Sequence, residues 1–476
     1  MMKFPFSMLT DGYKLTHWNQ LQDGVQEIDI YFESRTGGKY GFTQMSSYQY
    51  IIMEHLVGQV VTASDIPKMK EFCKLYFGDE STFNELGFTH LVNEHDGYLP
   101  IKIRAVREGQ VTPINNALLT VSNTCDYCAA WIPGYIDSLL THIWYGSNVA
   151  TISRAVKGTI NYWLNATGSA PEAVDFMLHD FGFRGATGVE AAAVGGGAHI
   201  VNFKGTDTLV SIPFVQRYYG AGEMPANSVV ATEHSVMTAL GLYRDLEVLD
   251  QLIEKYPNGI LSVVADSFDI YGFTEGVIER RDKILARNGR FVLRPDSVTK
   301  IHNTPAELVV ELLDMLWSGF GGTISSTGHK ILHDQIRLLW GDGITEDDIN
   351  LILLVMAECG YAAENIVFGM GGGLLQKHDR DTQRYTFKCS AQLRNNEWVD
   401  VQKKAFGKSS KAGRLALVVG EEGVVTRRIE EVREGEKDLM IDVFENGELL
   451  VFQQFDDIRE VAERTWAEYE KSRLAS

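Results

Sequence analysis

From about residue 170 one unit recurs: a short apolar run that breaks into a charged or glycine-rich tip, then a helical stretch. The runs open at Val174, Ile200, Ser228, Leu261, Phe291, Ile336 and Ile366. Their tips are His179-Asp180, Lys204-Gly205-Thr206-Asp207, Glu233-His234, Asp266-Ser267, Arg294-Pro295-Asp296, Gly341-Asp342-Gly343, and the glycines Gly369, Gly371, Gly372 and Gly373. Runs of about 4–6 apolar residues are too short for buried helices and suit strands covered on both faces. Charged residues and glycines gather where such strands end, which is where parallel α/β folds build active sites.

The intervening segments are punctuated as helices. Thr304-Pro305-Ala306-Glu307 supplies an N-cap, a proline at the first helical position and a reciprocal glutamate, and opens Leu308 to Trp317. Thr345 precedes the acids Glu346, Asp347 and Asp348, and Gly360 is placed to stop that helix. Met237 to Tyr256 reads as one helix ending at Pro257-Asn258-Gly259. The alternation predicts an α/β fold with a parallel sheet or barrel over 145–380. The flanks, 1–144 and 381–476, carry strand-like pieces such as Ile28–Phe32, Ile101–Ile103, Tyr385–Lys388 and Leu415–Val419, and are expected to form two parts of a β-rich flanking domain.

With 63 acidic and 44 basic side chains the net charge is -19, which argues against a nucleic-acid-binding surface. An anionic ligand must then be held by a local cluster of cations and backbone N–H groups. No stretch reaches the ~18 apolar residues of a membrane span. The apolar start is broken at Pro5 and is too short for a secretory signal, so the expected compartment is the cytoplasm. Five cysteines do not make a disulfide framework. Cys125-x-x-Cys128 lacks a second pair to complete a zinc site and reads as reduced thiols near a helix start; no resident metal site is expected.

The tips themselves carry the chemistry. Gly369-Met370-Gly371-Gly372-Gly373 turns a strand into a helix start and suits phosphate, with Gly341-Asp342-Gly343 beside it and Lys377 and Arg380 downstream. Arg294-Pro295-Asp296 fixes a cation and an acid on one strand end, and Asp207 and Asp266 occupy equivalent tips. Such converging acids require cations, a metal or a cationic transition state among them. His234, beside Glu233, suits a nucleophile towards a phosphoryl group. Phe181, with Arg184 nearby, offers a ring that can stack on a flat heteroaromatic substrate. Lys403, Lys404, Lys408, Lys411 and Arg414, interleaved with Gly407 and Gly413, form the one concentrated basic run and suit a clamp on polyphosphate.

Asp11-Gly12-Tyr13-Lys14-Leu15-Thr16-His17, His179 to Gly185, Asn202 to Thr208, Glu233-His234-Ser235, Asp266 to Asp269, Arg294 to Ser297, Gly341-Asp342-Gly343 and Gly371 to Lys377 together resemble the nicotinate/nicotinamide phosphoribosyltransferase family, and its nicotinamide branch in particular. The resemblance spans nearly the whole chain. It implies an irregular parallel α/β barrel, type II phosphoribosyltransferase-like, with a flanking β-rich domain, a homodimer with shared active sites, and condensation of nicotinamide with 5-phosphoribosyl 1-diphosphate in NAD biosynthesis. Mg²⁺ and ATP would take part, ATP as a co-substrate phosphorylating His234. Phe181 would stack on one face of nicotinamide and the partner subunit's Tyr13 on the other, with Asp11 also on the substrate side. Asp207 would accept from the carboxamide and Arg294 donate to it. Asp296, Gly341, Asp342, Gly371 and Gly372 would hold the ribose and phosphate. Arg184, His234, Arg294, Arg380, Lys388, Lys403, Lys411 and the partner subunit's Arg35 would line the diphosphate side. His234, Asp266, Asp296 and Arg294 are the implied catalytic set. Met370 and His378-Asp379 depart from the family pattern. Nicotinate phosphoribosyltransferase and a non-catalytic mononucleotide-binding protein are the alternative readings.

Overall fold

Seven strands from the middle of the chain form one all-parallel sheet: β1 (Leu178–Asp180), β2 (Gly205–Thr206), β3 (Val230–Ala231), β4 (Leu261–Val264), β5 (Phe291–Arg294), β6 (Ile336–Trp340) and β7 (Ile366–Met370). Their neighbour order is β2-β1-β7-β6-β5-β4-β3. The two ends of that order meet through a parallel bridge between Gly205 and Asn227. There Thr206 N–H donates to the Asn227 carbonyl at 3.0 Å, and Asn227 N–H to the Lys204 carbonyl at 2.8 Å. The sheet therefore curls into a barrel whose strands follow chain order, with one thin seam between β2 and β3. The computed structural model describes residues 4–125, 128–299, 304–404, 409–421 and 423–475.

Four of the seven apolar runs become strands where the pattern places them, and β4 and β6 are buried at every residue, as strands covered on both faces must be. Two runs differ. Val174 to Phe176 lies in a 3-10 turn, Pro171–Phe176, and the strand starts only at Leu178. Ile200 to Phe203 is the buried end of the helix Val189–His199: Ile200 N–H bonds the Gly196 carbonyl at 3.0 Å and Phe203 N–H that of His199 at 3.2 Å. A four-residue apolar run fits a buried helix end as well as a strand, so periodicity does not separate them.

The Thr304/Glu307 capping box forms on the helix Pro305–Phe320, and the helix Glu346–Glu358 opens on a second one, Thr345/Asp348. Gly360 follows at φ +79°. The long helix expected from Met237 to Tyr256 is instead two, His234–Met237 and Asp245–Lys255. Gly241 at φ +95° and Tyr243 at φ +56° break it, and Leu242, which the periodicity places on the core face, is exposed.

The chain divides into two compact units, Ile152–Phe214 with Gly222–His378, and Met1–Thr151 with Val215–Ala221 and Asp379–Ser476. The first holds the barrel. The second is built on a seven-stranded antiparallel sheet in which Val25–Ser34 pairs with Tyr385–Arg394 on one side and Asn116–Asn123 on the other. The two ends of the sequence thus share one sheet. Phe32 stacks on Tyr385 within it, at a centroid distance of 5.2 Å. Three helices, Tyr48–His55, Asp65–Phe77 and Glu85–His95, occupy a stretch whose composition reads as strands and turns. Among the described residues no helix is long and apolar enough to cross a membrane.

Candidate active site

The C-terminal ends of β3 to β6 bring a histidine and three acids, His234, Asp266, Asp296 and Asp342, to one place. Arg294 is the last residue of β5; its Nη2 donates to the Thr232 carbonyl at 3.0 Å, just beyond β3. That bond aims the guanidinium across the mouth, and its Nε lies 3.7 Å from an Asp296 oxygen. Arg294 Nε is buried and has no hydrogen-bond partner among the described residues. A buried donor without an acceptor is costly unless a ligand supplies one.

His234 opens the one-turn helix after β3, and its Nε2 lies 3.1 Å from Asp266 Oδ1. The other Asp266 oxygen accepts from the Ser297 hydroxyl. The Asp266 side chain is 8% exposed and that of His234 47%, so the acid is fixed while the imidazole faces solvent. A carboxylate accepting from Nε2–H leaves the lone pair on Nδ1, the nitrogen free to react. Burial raises the Asp296 carboxyl above its ordinary range; Arg294 and His234 pull it down, and the neighbouring charges of Asp266 and Asp342 push it further up. Carboxylate oxygens are the hard donors that a divalent cation favours, although among the described residues these do not close into a three-ligand group.

Phe181 follows β1, its N–H donating to the Met370 carbonyl of β7 at 3.0 Å. Glycine makes room for its ring: a Cβ on Gly369 would fall 1.9 Å from Phe181 Cε2, and one on Gly341 3.0 Å from the same atom. Gly369 and Gly341 therefore serve as a slot for an aromatic side chain. Gly371 and Gly372 remain more open and lead into a single helical turn, Gly372–Leu375. Asp180 holds the segment by accepting the Gly182 N–H at 2.7 Å. Buried as it is, its carboxyl is pushed up to about 6. Arg184 is exposed beside this segment. Asp207, also exposed, accepts from the Ser228 hydroxyl on one oxygen.

The remaining expected residues belong to the other unit. A cavity of about 500 Å³ there is lined by Asp11, Tyr13, Lys14, Asp137, Arg380 and Lys388, among others. Lys14 is anchored by Asp137 at 2.6 Å, and Tyr13 stands exposed. Burial lowers the Lys388 ammonium, and the charges of Arg35, Lys403 and Arg380 act the same way against the opposing Asp137. Arg35, Arg380, Lys388 and Lys403 thus share one cationic field. Lys411 is engaged elsewhere, its ammonium paired with the buried Glu33. Lys408 and Gly407 of the basic run lie outside the described residues.

The model of the nicotinate phosphoribosyltransferase (NAPRTase) family matches residues 176–447, more than half of the chain. The chain belongs to that family. Residues 5–103 match a second model, described as the N-terminal domain of nicotinamide phosphoribosyltransferase. A protein of Xanthomonas campestris pv. campestris (strain 8004) named nicotinamide phosphoribosyltransferase is 38% identical over 466 residues, 94% of this chain and 96% of its own. One of the same name from Acinetobacter baylyi is 32% identical over 396 residues, 78% of each chain. Among solved structures, the nicotinate-nucleotide pyrophosphorylase of Pyrococcus furiosus shares the fold, with a TM-score of 0.64 at 14% identity and 99% of each chain covered.

In this member of the nicotinate phosphoribosyltransferase family, the supporting contacts are what sequence reasoning missed. The Thr232 carbonyl, the hydroxyls of Ser297 and Ser228, and the Asp180 carboxylate each orient a residue at a tip. Ser297 adjoins Asp296 and Ser228 opens its run, so adjacency to the tips was the available signal. The Thr232 carbonyl had none, because any residue supplies one.

Proposed function

We propose that this chain is a pentosyltransferase that condenses nicotinamide with 5-phosphoribosyl 1-diphosphate to give nicotinamide mononucleotide and diphosphate, in NAD biosynthesis by salvage. The observation that carries the reading is the buried, acceptorless Arg294 Nε beside Asp296, at the same mouth as the His234–Asp266 pair. Binding alone would not call for a partly exposed histidine oriented by a buried acid.

In the proposed reaction the pyridine nitrogen lone pair forms the bond to the anomeric carbon. The carbon–oxygen bond breaks, and diphosphate leaves with the electron pair. Positive charge builds on the ribose ring, and the carboxylates of Asp266 and Asp296 stabilise it. No strong base is needed, so positioning dominates. Phe181 stacks on the ring, Arg294 donates to the carboxamide oxygen, and Asp207 accepts from the carboxamide nitrogen. Asp296 and Asp342, whose charges crowd one another, would hold Mg²⁺, which when bound neutralises charge on the diphosphate. The same proposal makes His234 Nδ1 the acceptor of the ATP γ-phosphoryl group. It also makes the chain a cytoplasmic homodimer with shared active sites, each completed by the partner subunit's Tyr13 and the partner subunit's Arg35.

The deciding experiment measures product from 5-phosphoribosyl 1-diphosphate and Mg²⁺ with nicotinamide or nicotinate, each with and without ATP. Turnover of the amide alone, raised by ATP, is the expected result. Turnover of the acid would move the chain to the nicotinate branch, and none with either would leave a mononucleotide-binding protein.

A further inference from the structure

In the antiparallel-sheet unit, two imidazoles and a thiol converge. His90 and His95 lie on the helix Glu85–His95, and Cys125 follows the strand Asn116–Asn123. His90 Nε2 and His95 Nε2 are 3.3 Å apart, Cys125 Sγ and His95 Nε2 are 3.5 Å apart, and all three ligand atoms lie within 4.8 Å of one another.

These separations have a specific meaning. A tetrahedral Zn²⁺ with Zn–N of about 2.0–2.1 Å and Zn–S of about 2.3 Å sets N···N edges of about 3.3–3.4 Å and N···S edges of about 3.5–3.6 Å. Two of the three edges match. Hydrogen bonding accounts for the arrangement less well, since His95 Nε2 carries either one hydrogen or one lone pair and faces two partners at once. One contact is then left without a shared proton, whereas a cation at the centre satisfies every ligand atom.

The surroundings favour the same reading. An open cavity of about 360 Å³ is lined by His95, Cys125, Tyr98, Thr124 and Asn446, among others. Among the described residues no fourth His, Cys, Asp or Glu joins the group. Three protein ligands with one corner open to water is the form of an exchangeable zinc site, and thiolate with imidazole selects zinc or copper over magnesium or calcium.

We propose that His90, His95 and Cys125 bind one Zn²⁺ ion, with water at the fourth corner, fastening the end of the helix Glu85–His95 to the strand Asn116–Asn123. This site is independent of the transferase reading. The sequence hid it because the partners of Cys125 are histidines about 30 residues upstream, not a second cysteine pair.

The test uses the full chain, stripped with a chelator and dialysed. Zn²⁺ is titrated in competition with a chromophoric chelator, and Co²⁺ is added separately to record its spectrum. The expected result is one equivalent of Zn²⁺, a raised melting temperature, and a thiolate-to-cobalt charge-transfer band. In Cys125→Ser and His90→Ala, folded by circular dichroism, affinity falls at least about 100-fold and, in Cys125→Ser, the band is lost. Wild-type protein without stoichiometric binding, or with a Co²⁺ spectrum lacking the thiolate band, overturns the proposal whether or not the variants fold. Unchanged affinity in folded Cys125→Ser does the same.

Discussion

The ring of Phe181 fills the place a side chain at Gly369 would take: a Cβ built there falls 1.9 Å from Phe181 Cε2. The relationship ties the glycine-rich end of β7 to the aromatic platform after β1. Gly369→Ala must push the ring aside or bend β7, at about 1–3 kcal/mol of stability. If Phe181 is the stacking platform, the KM for nicotinamide rises at least about 10-fold while that for 5-phosphoribosyl 1-diphosphate changes little. Steady-state kinetics with each substrate varied in turn check this. An unchanged nicotinamide KM in folded protein removes Phe181 from the pocket.

His234 and Asp266 make a second prediction. With Asp266 holding Nε2, His234→Ala abolishes ATP stimulation and leaves ATP-independent synthesis. Asp266→Asn keeps the shape but loses the charge that supports a phosphorylated imidazole, so phosphoenzyme formation falls about 10-fold or more. Trapping radiolabel from the ATP γ-phosphate in acid-labile form measures both. Full ATP coupling in His234→Ala rules out the phosphohistidine.

Much of the fold and of the site is legible in the sequence. Buried parallel strands write themselves as uninterrupted apolar runs, so β4 to β7 and their tips could be read off directly. Helix starts are equally local, and those at Thr304 and Thr345 form where the sequence places them. Elsewhere local pattern underdetermines structure. Ile200 to Phe203 is as apolar as a strand but ends a helix, and the period through Leu242 is interrupted by left-handed residues at Gly241 and Tyr243. The glycines at 341 and 369 read as phosphate cradles, and only the fold shows them framing Phe181. Lys411 reads as a free cation because its partner, Glu33, is 378 residues away.

If Asp207 meets the carboxamide as proposed, it also sets selectivity for amide over acid. The Ser228 hydroxyl occupies one of its oxygens and leaves the other for a ligand N–H. Nicotinate would set a carboxylate against that oxygen, a like-charge contact that opposes its binding. Asp207→Asn should therefore lower the ratio of nicotinamide to nicotinate kcat/KM by about 10–100-fold, mostly through a gain on the acid. A ratio that stays put excludes Asp207 as the discriminator.

A last prediction concerns stability and Glu108. This fully buried carboxylate accepts the N–H groups of Ser47 and Gln49, each at 2.7 Å, at the start of the helix Tyr48–His55, where Ser47 is left-handed at φ +74°. Burial outweighs those bonds and pushes the carboxyl up from 4.5 to about 7. A carboxyl raised on folding binds its proton more tightly in the native state. Its contribution is therefore fully present below pH 4.5 and lost as pH rises towards about 7. The size is on the order of 3 kcal/mol. Glu108→Gln removes this titration and also turns an amide NH2 towards one of the two backbone donors, at about 1–3 kcal/mol. The wild type should exceed the variant by most at about pH 5, with the gap narrowing by about pH 8, as measured by urea unfolding across that range. A gap that widens with pH would mean that the ionised carboxylate is the stabilising form, and the sign assigned to Glu108 would be wrong.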